Sequence, residues 1–317
     1  MKTFRIRFYE NRKIYFGISI GLMLIGLIFN VIFGTQLDIQ FTGGAVIKYS
    51  YSGTIQQEDV EKIVQDTVKR DVSVRILENV KSADGSSAKN NVSISFAGTN
   101  SISVNDQQAI AKALGEKYPS AGFTASESSS VNPTMGRQTL YKCLTAVLLA
   151  FVLLIIYVAL RFKKIGGATA GVTAVIALLH DVAMVYFAFV IFRFPLNDNF
   201  IAVVLTILGY SLNDTIIIYD RVRENRRLLG PKTPYSNLMN TSINQTLTRS
   251  LYTAGCTFSA IAIVFIVGQV FGLTSIVTFA LPMMIGVITG CYSSICIAGP
   301  LYVMWENHKM AKKAAEK

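Results

Sequence analysis

Three ionisable residues lie inside segments that are otherwise apolar enough to cross a bilayer. Asp181 lies in AVIALLHDVAMVYF, Asp214 in FIAVVLTILGYSLNDTIIIY, and Arg249 at the end of NQTLTR, where another apolar run begins. A charged side chain inside a span costs at least about 2.5–3.5 kcal/mol on insertion scales, so it indicates an ion pathway or an internal pair. A carboxylate near an arginine can hold or release a proton as its surroundings change. These residue types therefore predict a proton relay.

A polar stripe accompanies Asp214 along the same segment. Thr206, Tyr210, Asn213 and Asp214 recur at three- and four-residue intervals, which on a helix predicts one polar face turned towards the interior of a helix bundle. The candidate residues for proton relay or coupling are Asp214, Arg249, Asn213 and Asp181.

Each candidate also has a structural interpretation that the residues leave open. Arg249 can extend its side chain to the membrane surface, and Asp181 can hydrogen-bond a neighbouring helix and only hold the bundle together. His180, next to Asp181, is better interpreted as a packing or hydrogen-bonding residue than as a titrating one. Asp214 and Arg249 can also form a buried pair that fixes helix packing without moving protons.

Composition points to a membrane protein. Of the 317 residues 51% are hydrophobic and only 15% are charged, against about 25% charged in a soluble domain. Residues 35–138 hold ten Lys/Arg and eleven Asp/Glu, so nearly all of the net charge of +11 flanks the apolar runs. That distribution is typical of membrane orientation signals, and it argues against a nucleic-acid partner.

The sequence offers no catalytic group, metal site or cofactor motif. The four cysteines all lie in apolar runs and the polar segment 35–138 has none, so no disulfide framework is predicted. We expect the cysteines to be small apolar residues of helices.

Six apolar runs are long enough to cross about 30 Å of hydrocarbon. The basic head, the loops after the second and fourth runs, and the basic tail then share one side, which the positive-inside rule makes the cytoplasm. Both termini are therefore predicted to be cytoplasmic, with the first run an uncleaved span, since it is longer than a signal-peptide core. The predicted spans are 14–34, 139–160, 167–192, 199–220, 249–268 and 273–304, with Pro282 kinking the last span or Pro300 ending its useful part.

The long polar segment between the first two spans predicts an external domain. Alternating apolar residues predict strands and 3.6-residue spacing predicts two helices, in the order βαββαβ, with Ser103 or Asn105 capping the second helix. This order is typical of a ferredoxin-like α+β fold, and we expect a binding or docking module. The predicted organisation is 1–34, basic head and helix 1; 35–138, external α+β domain; 139–304, helices 2–6 with the basic loop 221–248; and 305–317, basic tail.

Two polar stretches border the fourth and fifth spans. The cluster DRVRENRR fixes orientation and is suited to anionic lipid head groups. The stretch YSNLMNTSINQTLTR predicts a surface helix with its Asn and Thr side chains on a wet face.

Several motifs together resemble the SecF family. They are LDIQFTGGAVIKYS, LLHDVAMV, GYSLNDTIIIYDRVRENRR, SINQTLTRSLYT and GCYSSICIAGPL, and they occur in the family's order over essentially the whole chain. The external motif departs from the family's common GIDFTGG because Gln40 replaces the acid; we expect the strand and turn there to be kept.

The resemblance implies one half of a transporter of the resistance–nodulation–division type, completed by the six spans of SecD. It implies an auxiliary role beside the SecYEG channel and the SecA motor, using the proton-motive force to assist late translocation of an unfolded polypeptide across the inner or plasma membrane. It also implicates Asp214 and Arg249 in proton movement, while Asn213 and Asp181 match neighbouring motif positions.

Three other function classes are weighed against this expectation. A subunit that only organises SecD and the channel is the main alternative. An intramembrane aspartyl protease would use Asp181 and Asp214 as its dyad, but its GxGD motif is replaced here by GYSLND. A stand-alone small-molecule exporter would need to dimerise.

Overall fold

Among the residues that the structure describes, six helices are long and apolar enough to cross a membrane, which confirms the predicted number. The computed structural model describes residues 6–69, 72–80, 89–97, 102–131, 133–162, 166–230 and 232–315. The spans are α1 (Arg12–Phe33), α5 (Pro133–Arg161), α6 (Gly167–Ile191), α7 (Asp198–Leu228), α8 (Tyr235–Val270) and a sixth helix made of α9 (Thr274–Ser293), a π-helical segment (Ser294–Ala298) and α10 (Gly299–Ala315).

The spans divide into central and peripheral helices. In the most apolar stretch of α6, α7 and the sixth helix, 50%, 56% and 50% of residues are buried, against 6–11% in α1, α5 and α8. The centre of the bundle is therefore formed by α6, α7 and α9–α10, and these helices carry two of the three ionisable candidates.

Two boundary predictions were wrong. The predicted helix in the stretch before the fifth span is present, but the fifth helix starts at Tyr235 and not at residue 249, because α8 runs unbroken from Tyr235 to Val270. Its Asn244 side chain is not on a wet face: it accepts from Ile6 N (2.9 Å) and donates to Ile6 O (2.8 Å), which fixes the N-terminal segment to α8. Pro300 does not end the last helix either, since it lies in the first turn of α10, where proline is tolerated, and α10 continues to Ala315.

Glycines allow the central helices to approach closely. A Cβ atom on Gly286 of α9 would lie 2.6 Å from Ile207 of α7 and 3.2 Å from Val185 of α6. A Cβ on Gly290, one turn later, would lie 3.0 Å from the Ser211 Cβ. The contact of α9 with α6 and α7 thus depends on the absence of side chains at these positions.

Gly286→Ala is therefore expected to destabilise the bundle by about 1–3 kcal/mol, the usual cost of overpacking. Thermal unfolding of the detergent-purified chain measures the loss. Gly21→Ala is the matched control, because a Cβ on Gly21 of α1 meets no atom within 4 Å. Equal unfolding temperatures for the two variants would contradict the packing argument.

The segment between α1 and α5 forms the predicted α+β domain. Its strands are β1 (Gly44–Tyr51), β2 (Val72–Val80), β3 (Lys89–Ala97) and β4 (Thr124–Val131), and its helices are α3 (Gln57–Val68) and α4 (Val104–Lys117). The sheet order is β2-β3-β1-β4 with antiparallel neighbours, which confirms the ferredoxin-like topology. Ser103 caps α4, because its hydroxyl accepts from Asp106 N at 3.1 Å.

The linker from α1 to this domain lies on the connection between α6 and α7. Leu196 N donates to Gln36 O (2.8 Å) and Asp38 N donates to Leu196 O (3.0 Å). Gln40 lies in the short helix α2 (Ile39–Thr42) and not in the expected strand, because the Asp38 carboxylate accepts its N–H at 3.0 Å and starts a turn. The Gln40 side chain accepts from the backbone N of Asp198, the first residue of α7, at 3.4 Å.

Candidate functional site

Asp214 is a buried carboxylate with one weak partner. It lies on the face of α7 that meets α8, is 1% exposed, and accepts a hydrogen bond from the Ser250 hydroxyl at 3.4 Å through Oδ1. Its Oδ2 is buried and has no hydrogen-bond partner among the described residues. An ionised carboxylate is costly in such surroundings, so its charge state depends on the groups that approach it.

Arg249 is the cation nearest to this carboxylate on α8. It precedes Ser250, is exposed, and lies within electrostatic reach of Asp214. It is 21 residues before Val270, the last residue of α8, which corresponds to about 31 Å along a helix. If α8 enters the hydrocarbon near Val270, Arg249 reaches its opposite boundary. The guanidinium can therefore extend to the membrane surface and still attract Asp214, so the two interpretations of Arg249 are compatible.

Asp181 differs from Asp214 in that both of its carboxylate oxygens have hydrogen-bond partners. It is fully buried on α6 and accepts from the Ser211 hydroxyl of α7 at 2.6 Å and from the Ser293 hydroxyl of α9 at 2.7 Å. The ring Nδ1 of His180 lies 3.1 Å from its other oxygen. Asp181 thus joins the three central helices, as its structural interpretation predicted.

A line of hydroxyl groups continues from Asp181 along α7. The Ser294 hydroxyl donates to Ser211 O at 3.0 Å and lies 2.8 Å from the Thr215 hydroxyl. One turn further, the Tyr219 hydroxyl lies 2.7 Å from that of Thr173. Hydroxyls of this kind can accept and donate at the same time, so each pair satisfies its own polar groups within the apolar core.

Two adjacent serines at the start of the π-helical segment bond different helices. Ser293 ends α9 and bonds Asp181, whereas Ser294 opens the π turn and bonds Thr215 on α7. Single π turns within α-helices occur frequently at functional sites. Sequence reasoning missed Ser211, Ser250, Ser293 and Ser294; the signal was paired small polar residues within GYSLND, TRSLYT and CYSSIC.

The structure does not bring all four candidate residues together. Asp214 and Arg249 are neighbours across α7 and α8, and Asp181 lies one turn away, linked to α7 through Ser211. Asn213 is exposed on another face of α7, as is Thr206. The prediction that the whole stripe faces the interior was wrong for Thr206 and Asn213, because successive helical residues are rotated by about 100°. Asp214 is buried and Tyr210 is half-buried with its hydroxyl inside the protein.

Metal-ligand clusters are absent from the described part of the chain: no three His, Cys, Asp or Glu side chains there meet closely enough to hold an ion. The cysteines found there, including the buried Cys291 and Cys296, are free.

Comparison with known proteins agrees with the resemblance in the sequence. The family described as "Protein export membrane protein SecD/SecF, C-terminal" matches residues 110–308. The protein translocase subunit SecF of Sebaldella termitidis is 30% identical over 97% of this chain and 94% of its own length. SecDF of Bacillus subtilis is 32% identical over 98% of this chain, which spans only 39% of that longer protein.

Solved structures show the same architecture. The crystal structure of SecDF from Thermus thermophilus, a translocon-associated membrane protein, superposes with a TM-score of 0.80 at 25% identity, covering 97% of this chain and 40% of the SecDF chain. A super-membrane-facing form of SecDF gives a TM-score of 0.68 at 27% identity.

Proposed function

Because the chain belongs to the SecD/SecF family of protein export membrane proteins, we propose that it uses the proton-motive force to assist the late stages of polypeptide translocation, with Asp214 as the proton-carrying group. The observation that carries this proposal is the state of the Asp214 carboxylate, which is 1% exposed with one oxygen unpartnered in the described structure. A buried carboxylate with a purely structural role is expected to have hydrogen-bond partners for both oxygens, as Asp181 has. Asp214 is suited to gaining and losing a proton because neither state is locked by its neighbours.

Arg249 supplies the second element of the proposed relay. Its attraction favours the ionised form of Asp214, and its exposure near the membrane boundary lets the guanidinium move towards or away from the carboxylate. Each elementary charge that crosses 100 mV releases about 2.3 kcal/mol. A few protons per cycle therefore supply enough free energy to rearrange a docked extramembrane domain.

The exposed polar stripe of α7 supports pairing with SecD. Thr206, Gly209 and Asn213 face outward along α7, and Gly255 and Ser259 do so on the neighbouring α8. Small polar residues suit close contact with another membrane helix better than contact with lipid tails. Since the chain spans about 40% of the SecDF chains that it matches, we assign this face to the SecD half, and Asn213 to the contact between the halves.

Further partners and the orientation follow from the family and from the charge pattern. The proposed partners are the SecYEG channel with the SecA motor, and the translocating unfolded polypeptide. From the positive-inside rule we infer that both termini and the segment 221–248 lie in the cytoplasm of a bacterial inner or plasma membrane. This segment is not one loop as predicted, because it consists of the end of α7, a short connection and the start of α8. The domain formed by residues 35–138 then lies on the outer side, where exported polypeptide emerges.

The alternative, a subunit that organises SecD and the channel without carrying protons, is favoured by one observation. Asp181 and its serine partners form a fully bonded junction of α6, α7 and α9, which is the arrangement expected of a structural centre.

Inverted vesicles that contain the channel, the motor and the SecD partner distinguish the two functions. Late-stage export is followed with and without this chain, and with the proton gradient intact or collapsed by a protonophore. We expect the chain to accelerate late export only while the gradient is present. Acceleration that persists after the gradient is collapsed would establish the organising role instead.

Arg249→Gln is expected to lower the gradient-dependent acceleration at least about tenfold, the equivalent of about 1.4 kcal/mol, because the carboxylate of Asp214 loses its cation. Arg249→Lys keeps the positive charge that attracts Asp214 and is therefore expected to stay within about threefold of the wild type. Lys232→Gln controls for the loss of one basic charge. If Arg249→Gln behaves like Lys232→Gln, Arg249 is a surface anchor only.

A further inference from the structure

We propose that a groove between α7 and α8 binds the phosphate-bearing head group of an anionic lipid. The groove has a volume of about 810 Å³ and lies between the C-terminal half of α7 and the N-terminal part of α8. We call it the basic groove. The lining residues that carry the argument are Ile217, Arg221, Arg223, Arg227, Gln245 and Arg249.

Two of the four arginines in the basic groove are already neutralised. Arg221 pairs with Glu224 at 2.6 Å. Arg223 pairs with Asp220 at 2.9 Å. These two acids are the only carboxylates among the residues that line the groove in the described structure, so two positive charges are left over.

The excess charge belongs to Arg227 and Arg249. Both side chains are exposed, and neither forms an ion pair within the described ranges of the chain. They lie on different helices and border the same cavity. An anion placed between them would gain two cationic partners without displacing an existing ion pair.

One wall of the groove is already held in place. The Gln245 side-chain oxygen of α8 accepts from Arg221 Nε at 2.6 Å and from Asn225 Nδ2 at 2.8 Å, both on α7. These bonds tie the two helices together across the floor of the groove. A site that is formed before its ligand arrives loses less entropy on binding.

The depth of the basic groove matches the head-group layer of a bilayer. If α7 enters the hydrocarbon at its first residue, Asp198, about 20 residues cross the 30 Å core, which places the inner boundary near Asp220. Ile217 therefore provides an apolar surface at the deep end, and Arg227, about 15 Å further along the axis, lies among polar head groups. This gradient from apolar to basic fits a lipid, whose phosphate is attached through glycerol to acyl chains. A free anion has no apolar part that could contact Ile217.

Lipid at this site would act on the proton-carrying group, a consequence that rests on the proposed function. Arg249 borders the basic groove and also attracts Asp214. A lipid phosphate in the groove competes with Asp214 for the guanidinium and weakens its hold on the ionised carboxylate. Anionic lipid in the groove would then favour proton uptake by Asp214.

Binding is tested on the full-length chain, alone and assembled with its SecD partner, by native mass spectrometry during titration with dioleoyl phosphatidylglycerol or, as a neutral lipid, phosphatidylcholine. We expect Arg227→Gln to weaken phosphatidylglycerol binding about fivefold, as loss of one basic group near an anionic surface predicts. Lys232→Gln removes an exposed charge from the connection between α7 and α8, outside the groove, and should stay within about twofold. Phosphatidylcholine binding should be unchanged by either variant.

Three results would overturn the proposal: equal losses in both variants, no loss in Arg227→Gln, or displacement of phosphatidylglycerol by millimolar inorganic phosphate, which would identify a soluble anion as the ligand. Binding is measured without a proton gradient or export. It can therefore fail while the proton-coupling proposal stands, and the reverse also holds.

Discussion

Asp214→Asn is expected to abolish the gradient-dependent gain in late export while the complex with SecD still assembles. Asparagine has nearly the same shape as a protonated aspartic acid, and its side-chain oxygen can still accept the Ser250 hydroxyl, which lies 3.4 Å from Asp214 Oδ1. The amide cannot ionise between pH 5 and 9, so no proton can be carried. Export driven by the motor alone should continue at the rate seen with the gradient collapsed. The measurement is the late export rate in inverted vesicles with the gradient on and off.

The matched control is Asp220→Asn, which makes the same chemical change on the same helix. Asp220 is one-third exposed and pairs with Arg161 and Arg223 eight residues before the end of α7, and such partly exposed pairs contribute little. We expect its response to the gradient to be close to that of the wild type. If Asp214→Asn assembles and keeps a normal gradient response, Asp214 is a packing residue and the relay proposal fails.

Asp181→Leu is expected to destabilise the bundle by about 2–3 kcal/mol. The substitution removes the acceptor shared by the Ser211 and Ser293 hydroxyls, which lie 2.6 and 2.7 Å from it, and a buried hydroxyl without its partner costs about 1–3 kcal/mol. Part of this loss is recovered, because both hydroxyls lie within reach of the Gly290 carbonyl oxygen. Thermal unfolding of the purified chain, together with the yield of complex with SecD, measures the effect.

Asp181→Asn separates a structural role of Asp181 from a role in carrying protons. The amide oxygen can accept both hydroxyls, and the amide nitrogen can donate to the His180 ring nitrogen that lies 3.1 Å from the carboxylate. We expect a loss of stability below about 1 kcal/mol and an unchanged response of export to the gradient. A stable Asp181→Asn variant without that response would make Asp181 a second proton carrier. An Asp181→Leu variant as stable as the wild type would refute its role as the junction of the three helices.

The spans and the extramembrane sheet could be predicted because they depend on periodicity along the chain. Apolar length sets a membrane helix, and alternation or 3.6-residue spacing sets the strands and helices of the domain. The direction of a helical face is a different matter. The spacing of Thr206, Asn213 and Asp214 fixes their relative angles on α7, but only the packing of α6, α8 and α9 decides which of them is buried.

The partners of the candidate residues were beyond sequence reasoning for a related reason. Serine is common in apolar helices, so Ser250 gives no sign that it will meet Asp214 from another helix. The π turn at Ser294–Ala298 has no sequence signature by which its position is set. Likewise, the sequence predicts that the Asn side chains of α8 face solvent, but in the structure the N-terminal segment hydrogen-bonds to Asn240 and Asn244.

Helix α7 is one continuous helix of 31 residues, about 46 Å long, and three features are spaced along its length. At its first residue it is bonded to the linker of the extramembrane domain through Gln40; at Asp214 it carries the buried carboxylate; and at its far end it forms one wall of the basic groove. A continuous helix without a kink can transmit tilt and rotation from one end to the other. If a change of charge at Asp214 rotates α7, that rotation would therefore move both the linker bonded at one end and the wall of the groove at the other. Inserting a flexible segment into α7, between its first residue and Asp214, would uncouple the linker of the extramembrane domain from movements at Asp214.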